Sequence, residues 1–131
     1  MPAGLLDTSV LIDWDNPAVA AALPDEAAVS AITLAELAAG PHLAATGVES
    51  ARRQARLQQI EAAFEPLPFT AETARSFGLI VAAITDTGRS HRRRVADLLI
   101  AATAHTNKLA LYTRNPDDFS GLAALIQIVT V

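Results

Sequence analysis

The chain of 131 residues is the size of one domain with a real core, and 51% hydrophobic against 18% charged residues excludes a disordered polypeptide. The absence of cysteine excludes disulfides, thiolate metal sites and a cysteine nucleophile, and a net charge of −4 excludes a uniformly basic nucleic-acid binder, though not local basic patches.

In chain order, Ala3 to Leu6 reads as a short buried strand ending at Asp7. Thr8 is placed to cap a helix carrying Val10, Leu11 and Ile12, which should end near Asn16-Pro17. Ala27 to Ile32 is β-compatible, and Thr33 to Ala39 reads as a helix stopped by Gly40-Pro41. From Val48 to Phe64, apolar residues recur at helical spacing. Leu67 and Phe69, between prolines, suggest a short edge strand. Ala71 to Ile84 reads as a helix capped by Thr70, Arg89 to Arg94 as a loop, and Val95 to Thr106 as a strongly apolar helix ended by a left-handed Asn107. Leu109 to Tyr112 and Ile126 to Val131 complete the set as strands. Apolar strands alternating with helices predict an α/β fold, a mostly parallel sheet covered on both faces, in one domain spanning 1–131. Met1-Pro2-Ala3 does not resemble the basic start of a signal peptide, and no uncharged apolar run approaches the ~18 residues of a membrane helix. A soluble cytoplasmic protein with no membrane partner is the expectation.

Four acids sit beside these apolar segments: Asp7, Glu36, Asp97 and Asp118. Each has an ordinary reading by itself. Asp7 can cap the helix that follows it, Glu36 completes a capping box with Thr33, and Asp117-Asp118 after Asn115-Pro116 is turn chemistry. Asp97 is harder to place. A first-turn carboxylate suits the helix dipole, but Val95, Ala96, Leu98, Leu99 and Ile100 make its surroundings apolar. Unpaired buried carboxylates are costly, and no single Lys or Arg is positioned to serve all four. A shared divalent cation would, and oxygen donors favour Mg²⁺ or Mn²⁺. In a parallel sheet, Asp7 and Asp118 fall at the carboxyl edge where ligands bind.

Other motifs are weaker. His42, His91 and His105 have no metal-ligand spacing, the glycines are scattered, and 5% aromatic residues are too few for a stacking platform. Arg89, Arg92, Arg93 and Arg94 form the densest basic run, placed to meet RNA phosphates or a protein partner near Asp97; Arg52, Arg53 and Arg56 form a second run that reads as a solvated helix face.

Together, Leu5-Leu6-Asp7-Thr8-Ser9-Val10-Leu11-Ile12-Asp13, Thr33-Leu34-Ala35-Glu36-Leu37, Ala96 to Ala104 and Thr113-Arg114-Asn115-Pro116-Asp117-Asp118-Phe119 resemble the PIN domain, and more narrowly the VapC toxins of bacterial toxin–antitoxin pairs. The resemblance implies a three-layer α/β/α sandwich and a Mg²⁺- or Mn²⁺-dependent ribonuclease acting on structured RNA. It places Asp7, Glu36, Asp97 and Asp118 at the catalytic acidic positions, with Thr8 or Ser9 and Asn115 supporting them by hydrogen bonds. Asp118 rather than Asp117 matches the position before Phe119. Because Mg²⁺ keeps most of its waters, Asp7 and Asp97 are expected to touch the metal most directly. A homodimer and a cognate VapB-type antitoxin are implied as well.

Two rivals remain. A phosphatase with Asp7 as nucleophile would want a second acid two residues on, where Ser9 stands. A non-catalytic module that binds RNA or a partner helix is the other.

Overall fold

The computed structural model describes residues 3–131, with every side chain in that range except that of Arg93. Four parallel strands, β1 (Ala3–Leu6), β2 (Glu26–Ala28), β3 (Ala110–Thr113) and β4 (Ile128–Thr130), form one sheet in the order β2-β1-β3-β4. Among the described residues six helices accompany them: α1 (Thr8–Ile12), α2 (Pro17–Ala21), α3 (Ala31–Leu43), α4 (Gly47–Ala63), α5 (Ala71–Asp86) and α6 (Val95–Thr106). Single 3-10 turns cover Arg92–Arg94 and Pro116–Phe119.

Successive side chains of a strand point to opposite faces, and this divides the core in two. Leu5 and Leu111, partners across β1 and β3, are buried with Ile80, Ile84, Leu98 and Ala101 of α5 and α6. Their neighbours Leu6 and Tyr112, also partners, face the other way onto Val10, Leu11, Leu37, Leu57 and Ile60 of α1, α3 and α4. Both sheet faces are therefore covered, which gives the three-layer α/β/α sandwich and explains why the central strands are apolar at every position. The chain leaves β1 toward β2 on one side and later returns to β3 on the other. The carboxyl ends of β1 and β3 thus flank the switch point of the sheet, where open α/β folds bind ligands.

Several expected boundaries move, each for a local reason. α1 ends at Ile12, and Pro17 starts α2 rather than marking a stop: Asn16 caps it by accepting the Ala18 N–H at 3.0 Å. The helix expected at Thr33 begins at Ala31, because buried Ser30 accepts the Thr33 N–H at 3.0 Å and is the true cap. That overturns the capping box and releases Glu36 for another partner. The same helix runs through Gly40-Pro41 to Leu43. Its last-turn carbonyls find donors on α4, Arg53 bonding the Gly40 oxygen at 2.9 Å and Ser50 the Pro41 oxygen at 2.9 Å. Leu67 forms one isolated parallel bridge with Ser30 rather than a strand, since Pro66 and Pro68 have no N–H to extend it. The strand expected over 27–32 is β2 at Glu26–Ala28, and that expected at 126–131 shortens to Ile128–Thr130. The Arg89 to Arg94 loop closes into its 3-10 turn before α6. At the end of α6, Asn107 keeps a φ of −91° and Lys108 takes the left-handed position at 56°. Among the described residues no helix is long and apolar enough to cross a membrane.

Candidate active site

β1 ends at Leu6 because the next residue turns the chain into α1 with its carboxylate held underneath. Asp7 is only 3% exposed, so its charge needs partners. Its N–H continues the sheet ladder to the Tyr112 oxygen at 2.9 Å. Its Oδ2 accepts from Ser9 Oγ at 2.7 Å and from Thr113 Oγ1 at 2.9 Å. Both hydroxyls are in turn held by backbone: Arg114 N–H donates to Ser9 Oγ at 3.1 Å and Asn115 N–H to Thr113 Oγ1 at 2.9 Å. One carboxylate oxygen is thus fixed by two hydroxyls, one from the first turn of α1 and one from the end of β3, and Oδ1 takes no part in these bonds. Among the described residues no buried side-chain nitrogen or oxygen lacks a partner.

Glu36 reaches the same edge from α3. Thr8, the first residue of α1, donates its hydroxyl to Glu36 Oε1 at 2.6 Å, and the Thr8 oxygen lies 3.0 Å from the Thr33 hydroxyl. Thr8 is therefore a positioning group for Glu36 rather than a helix cap; Asp7 occupies the cap position of α1 without a side-chain cap bond. Asp118 comes from the 3-10 turn Pro116–Phe119, which is pinned by the fully buried Phe119 ring.

Asp97, in the first turn of α6, registers all of them. Burial pushes its carboxyl up to about 6, and the charges of Asp7, Asp118 and Glu36, in that order, push the same way, while the Arg94 guanidinium pulls it down. Asp117 is not among these influences; it is exposed, and its backbone oxygen accepts from Arg94 at 3.0 Å. Four segments far apart in sequence are thus close enough for their carboxylates to repel at Asp97. Among the described residues no three His, Asp or Glu side chains close into a ready cation cage, so the acids share a field without converging on one point. An all-oxygen set of mutually repelling carboxylates fits a hard divalent cation that keeps several waters, and does not fit zinc, which prefers nitrogen and sulfur.

Residues 4–125 match the PIN domain family. This chain belongs to it. The PIN domain is 38% identical over 133 residues to ribonuclease VapC5 of Mycobacterium tuberculosis, covering 98% of this chain and 96% of that protein. Ribonuclease VapC8 of the same organism is 34% identical over 101 residues, covering 77% of this chain and 89% of VapC8. In three dimensions the PIN domain matches VapBC-5, a member of the VapBC family of toxin–antitoxin systems from Mycobacterium tuberculosis, with a TM-score of 0.85 at 38% identity and complete cover of both chains. FitAcB from Neisseria gonorrhoeae matches with a TM-score of 0.77 at 32% identity over 95% of each chain.

The remaining sequence candidates of this PIN domain fall unevenly. Arg94 faces the acids, Arg89 is half-buried and Arg92 is exposed; the Arg93 side chain lies outside the described residues. Ser9 and Thr8 serve different acids, so both matter. Asn115 contributes its backbone N–H, and the hydrogen bonds of the described residues include none from its side chain. The sequence motifs do not single out Thr113, although a hydroxyl closing an apolar strand at the sheet's carboxyl edge is a readable signal. They also understate the second arginine run. Arg52, Arg53 and Arg56 line a groove of about 500 Å³ whose opposite wall includes Thr8 and Glu36. Glu49, which also lines it, is held below the usual carboxylate range, chiefly by its hydrogen bond from Arg53 and then by the charges of Arg52, Arg53 and Arg56.

Proposed function

We propose that this chain is a VapC-type endoribonuclease: a toxin that hydrolyses phosphodiester bonds in structured RNA with Mg²⁺ or Mn²⁺ and is restrained by a VapB-type antitoxin. The observation that carries this reading is the grouping of Asp7, Glu36, Asp97 and Asp118 around the switch point, felt as repulsion at Asp97. The relatives named ribonuclease and the solved toxin–antitoxin relatives support the class.

Asp7 and Asp97 are the groups that would hold a cation, with Glu36 and Asp118 acting through water or a second ion. When bound, the cation would lower the pKa of its water and stabilise charge on the phosphoryl oxygens. The protein's part is positional. Ser9 and Thr113 fix the Asp7 carboxylate before substrate arrives, and Thr8 fixes Glu36. Arg94 offsets part of the crowding at Asp97 and stands where an RNA phosphate would enter. Ser9, bonded to Asp7 where a phosphatase would carry its second acid, favours the nuclease over that rival.

The test is incubation of the purified, antitoxin-free chain with total RNA in Mg²⁺ or Mn²⁺, beside an EDTA control and the Asp97→Asn variant. Discrete fragments requiring both metal and Asp97 are expected. A folded Asp97→Asn chain that cleaves at the wild-type rate would sink the site assignment. Intact metal binding with no cleavage would favour the binding module instead. The homodimer belongs to the same reading, and sedimentation of the free chain at two concentrations checks it.

A further inference from the structure

Beyond the acids, the groove that the α4 arginines line does not stop at Glu36. Arg52 and Arg56 lie one turn apart on α4 and therefore share a face. They line the groove that begins at Thr8 and Glu36, and they also line a second, adjoining hollow of about 200 Å³ together with Trp14, Asp15, Ala55 and Gln59. Trp14 is the single tryptophan of the chain. It is half-buried, packed on the core, and its ring is set by an edge contact with Phe64, with centroids 5.9 Å apart and planes at 80°. Arg52 and Arg53 share Glu49, and Arg56 joins no ion pair among the described residues, so on α4 three guanidinium groups meet one carboxylate, while Asp13 and Glu36 also line the groove and Asp15 lines the second hollow. The α4 wall is therefore the positive side of the strip, and the strip leads from the acids to a held aromatic ring.

We propose that this strip is the path of the RNA strand next to the cleaved bond, with phosphates on Arg52 and Arg56 and one unpaired base stacked on Trp14. The proposal rests on the ribonuclease reading above and adds a place where the substrate is selected. Positive side chains follow a phosphate backbone, and aromatic rings take splayed-out bases, which structured RNA presents in its loops. Trp14 then favours targets with an unpaired, strongly stacking base at a set distance from the bond that is cut.

The lone tryptophan makes the test direct. An RNA hairpin with a mixed-sequence loop, labelled at one end, is titrated into the Asp97→Asn chain while Trp14 emission and label anisotropy are read together. Quenching of Trp14 in step with the anisotropy change is expected. Trp14→Leu, which keeps an apolar contact for Phe64, should weaken binding roughly tenfold. Replacing Arg52 and Arg56 by Gln should lower the slope of log affinity against log salt by about 0.7 for each phosphate that is no longer neutralised. Hairpin binding with unchanged Trp14 emission and unaltered affinity of Trp14→Leu would overturn the proposal, leave the groove to a protein partner, and spare the ribonuclease reading. Failure of any RNA to bind would overturn both.

Discussion

At the scale of single residues, the site is a problem of charge placed near a core. Asp97 has its carboxyl raised to about 6 against an ordinary 3.8. The native state therefore favours the protonated form. Its contribution to stability is fully present below the unfolded value and is lost as pH rises through the folded value, the reverse of a salt-bridged aspartate. Between pH 4 and pH 6 the metal-free chain should lose stability from this group, and Asp97→Asn should remove that loss. A divalent cation relieves the same repulsion, so Mg²⁺ should raise the melting temperature more at pH 7.5 than at pH 5. Equal Mg²⁺ shifts at the two pH values would contradict it. The Asp7 carboxylate, by contrast, accepts from two hydroxyls. Thr113→Val removes a hydrogen bond to a buried carboxylate and should cost about 1.5–3 kcal/mol in denaturant unfolding. A cost near zero would mean that Ser9 alone holds Asp7.

At the scale of elements, the site depends on how closely β1 and β3 approach. Gly4 on β1 lies under the Tyr112 ring, and a Cβ there would run into it. Gly4→Ala should therefore destabilise by about 1–3 kcal/mol through overpacking. Because Asp7 and Thr113 follow on the same two strands, cleavage should fall as well. Chemical denaturation beside an RNA cleavage assay checks both, and a fully stable variant would show that Tyr112 can swing away. α3 illustrates the opposite relation, an element shaped by its neighbour. Its passage through Gly40-Pro41 depends on Arg53 and Ser50 of α4, which no local pattern encodes. The same α4 presents Arg52 and Arg56 to the groove, so one helix both completes α3 and supplies the basic wall.

At the scale of the whole molecule, an acidic chain that acts on RNA must concentrate its few positive charges where the strand lies. Ten Lys and Arg residues oppose fourteen Asp and Glu, yet seven of those ten are in the two arginine runs. Arg94, which acts on Asp97, and Arg52 to Arg56, which line a groove with Glu36, bring basic side chains to the acids from two separate segments. Neutralising Arg92 and Arg94 together should weaken RNA binding and flatten its salt dependence. An unchanged slope would assign that turn to the antitoxin or to solvent. Basic side chains from two segments near four acids also suit an inhibitor that carries both signs, as an antitoxin segment would.

The chain's own pattern determined the alternation of apolar strands and helices, the parallel sheet, and the four acids with their family motifs, because each of these is written in consecutive residues: Leu5-Leu6-Asp7 is strand and acid together, and Ala96 to Ala104 is a buried helix carrying Asp97. Only the tertiary structure decided how the acids are held. Whether Glu36 bonds its own helix or Thr8 depends on Ser30 taking the cap. Whether Thr113 supports Asp7 depends on the register of β1 against β3, in which Leu6 faces Tyr112. The weight of Arg52 and Arg56 likewise came from α4 lying beside α1 and α3. Hydrogen bonds and electrostatic fields between segments a hundred residues apart exist only once the layers are packed, so a linear pattern can name the charged groups but not their partners.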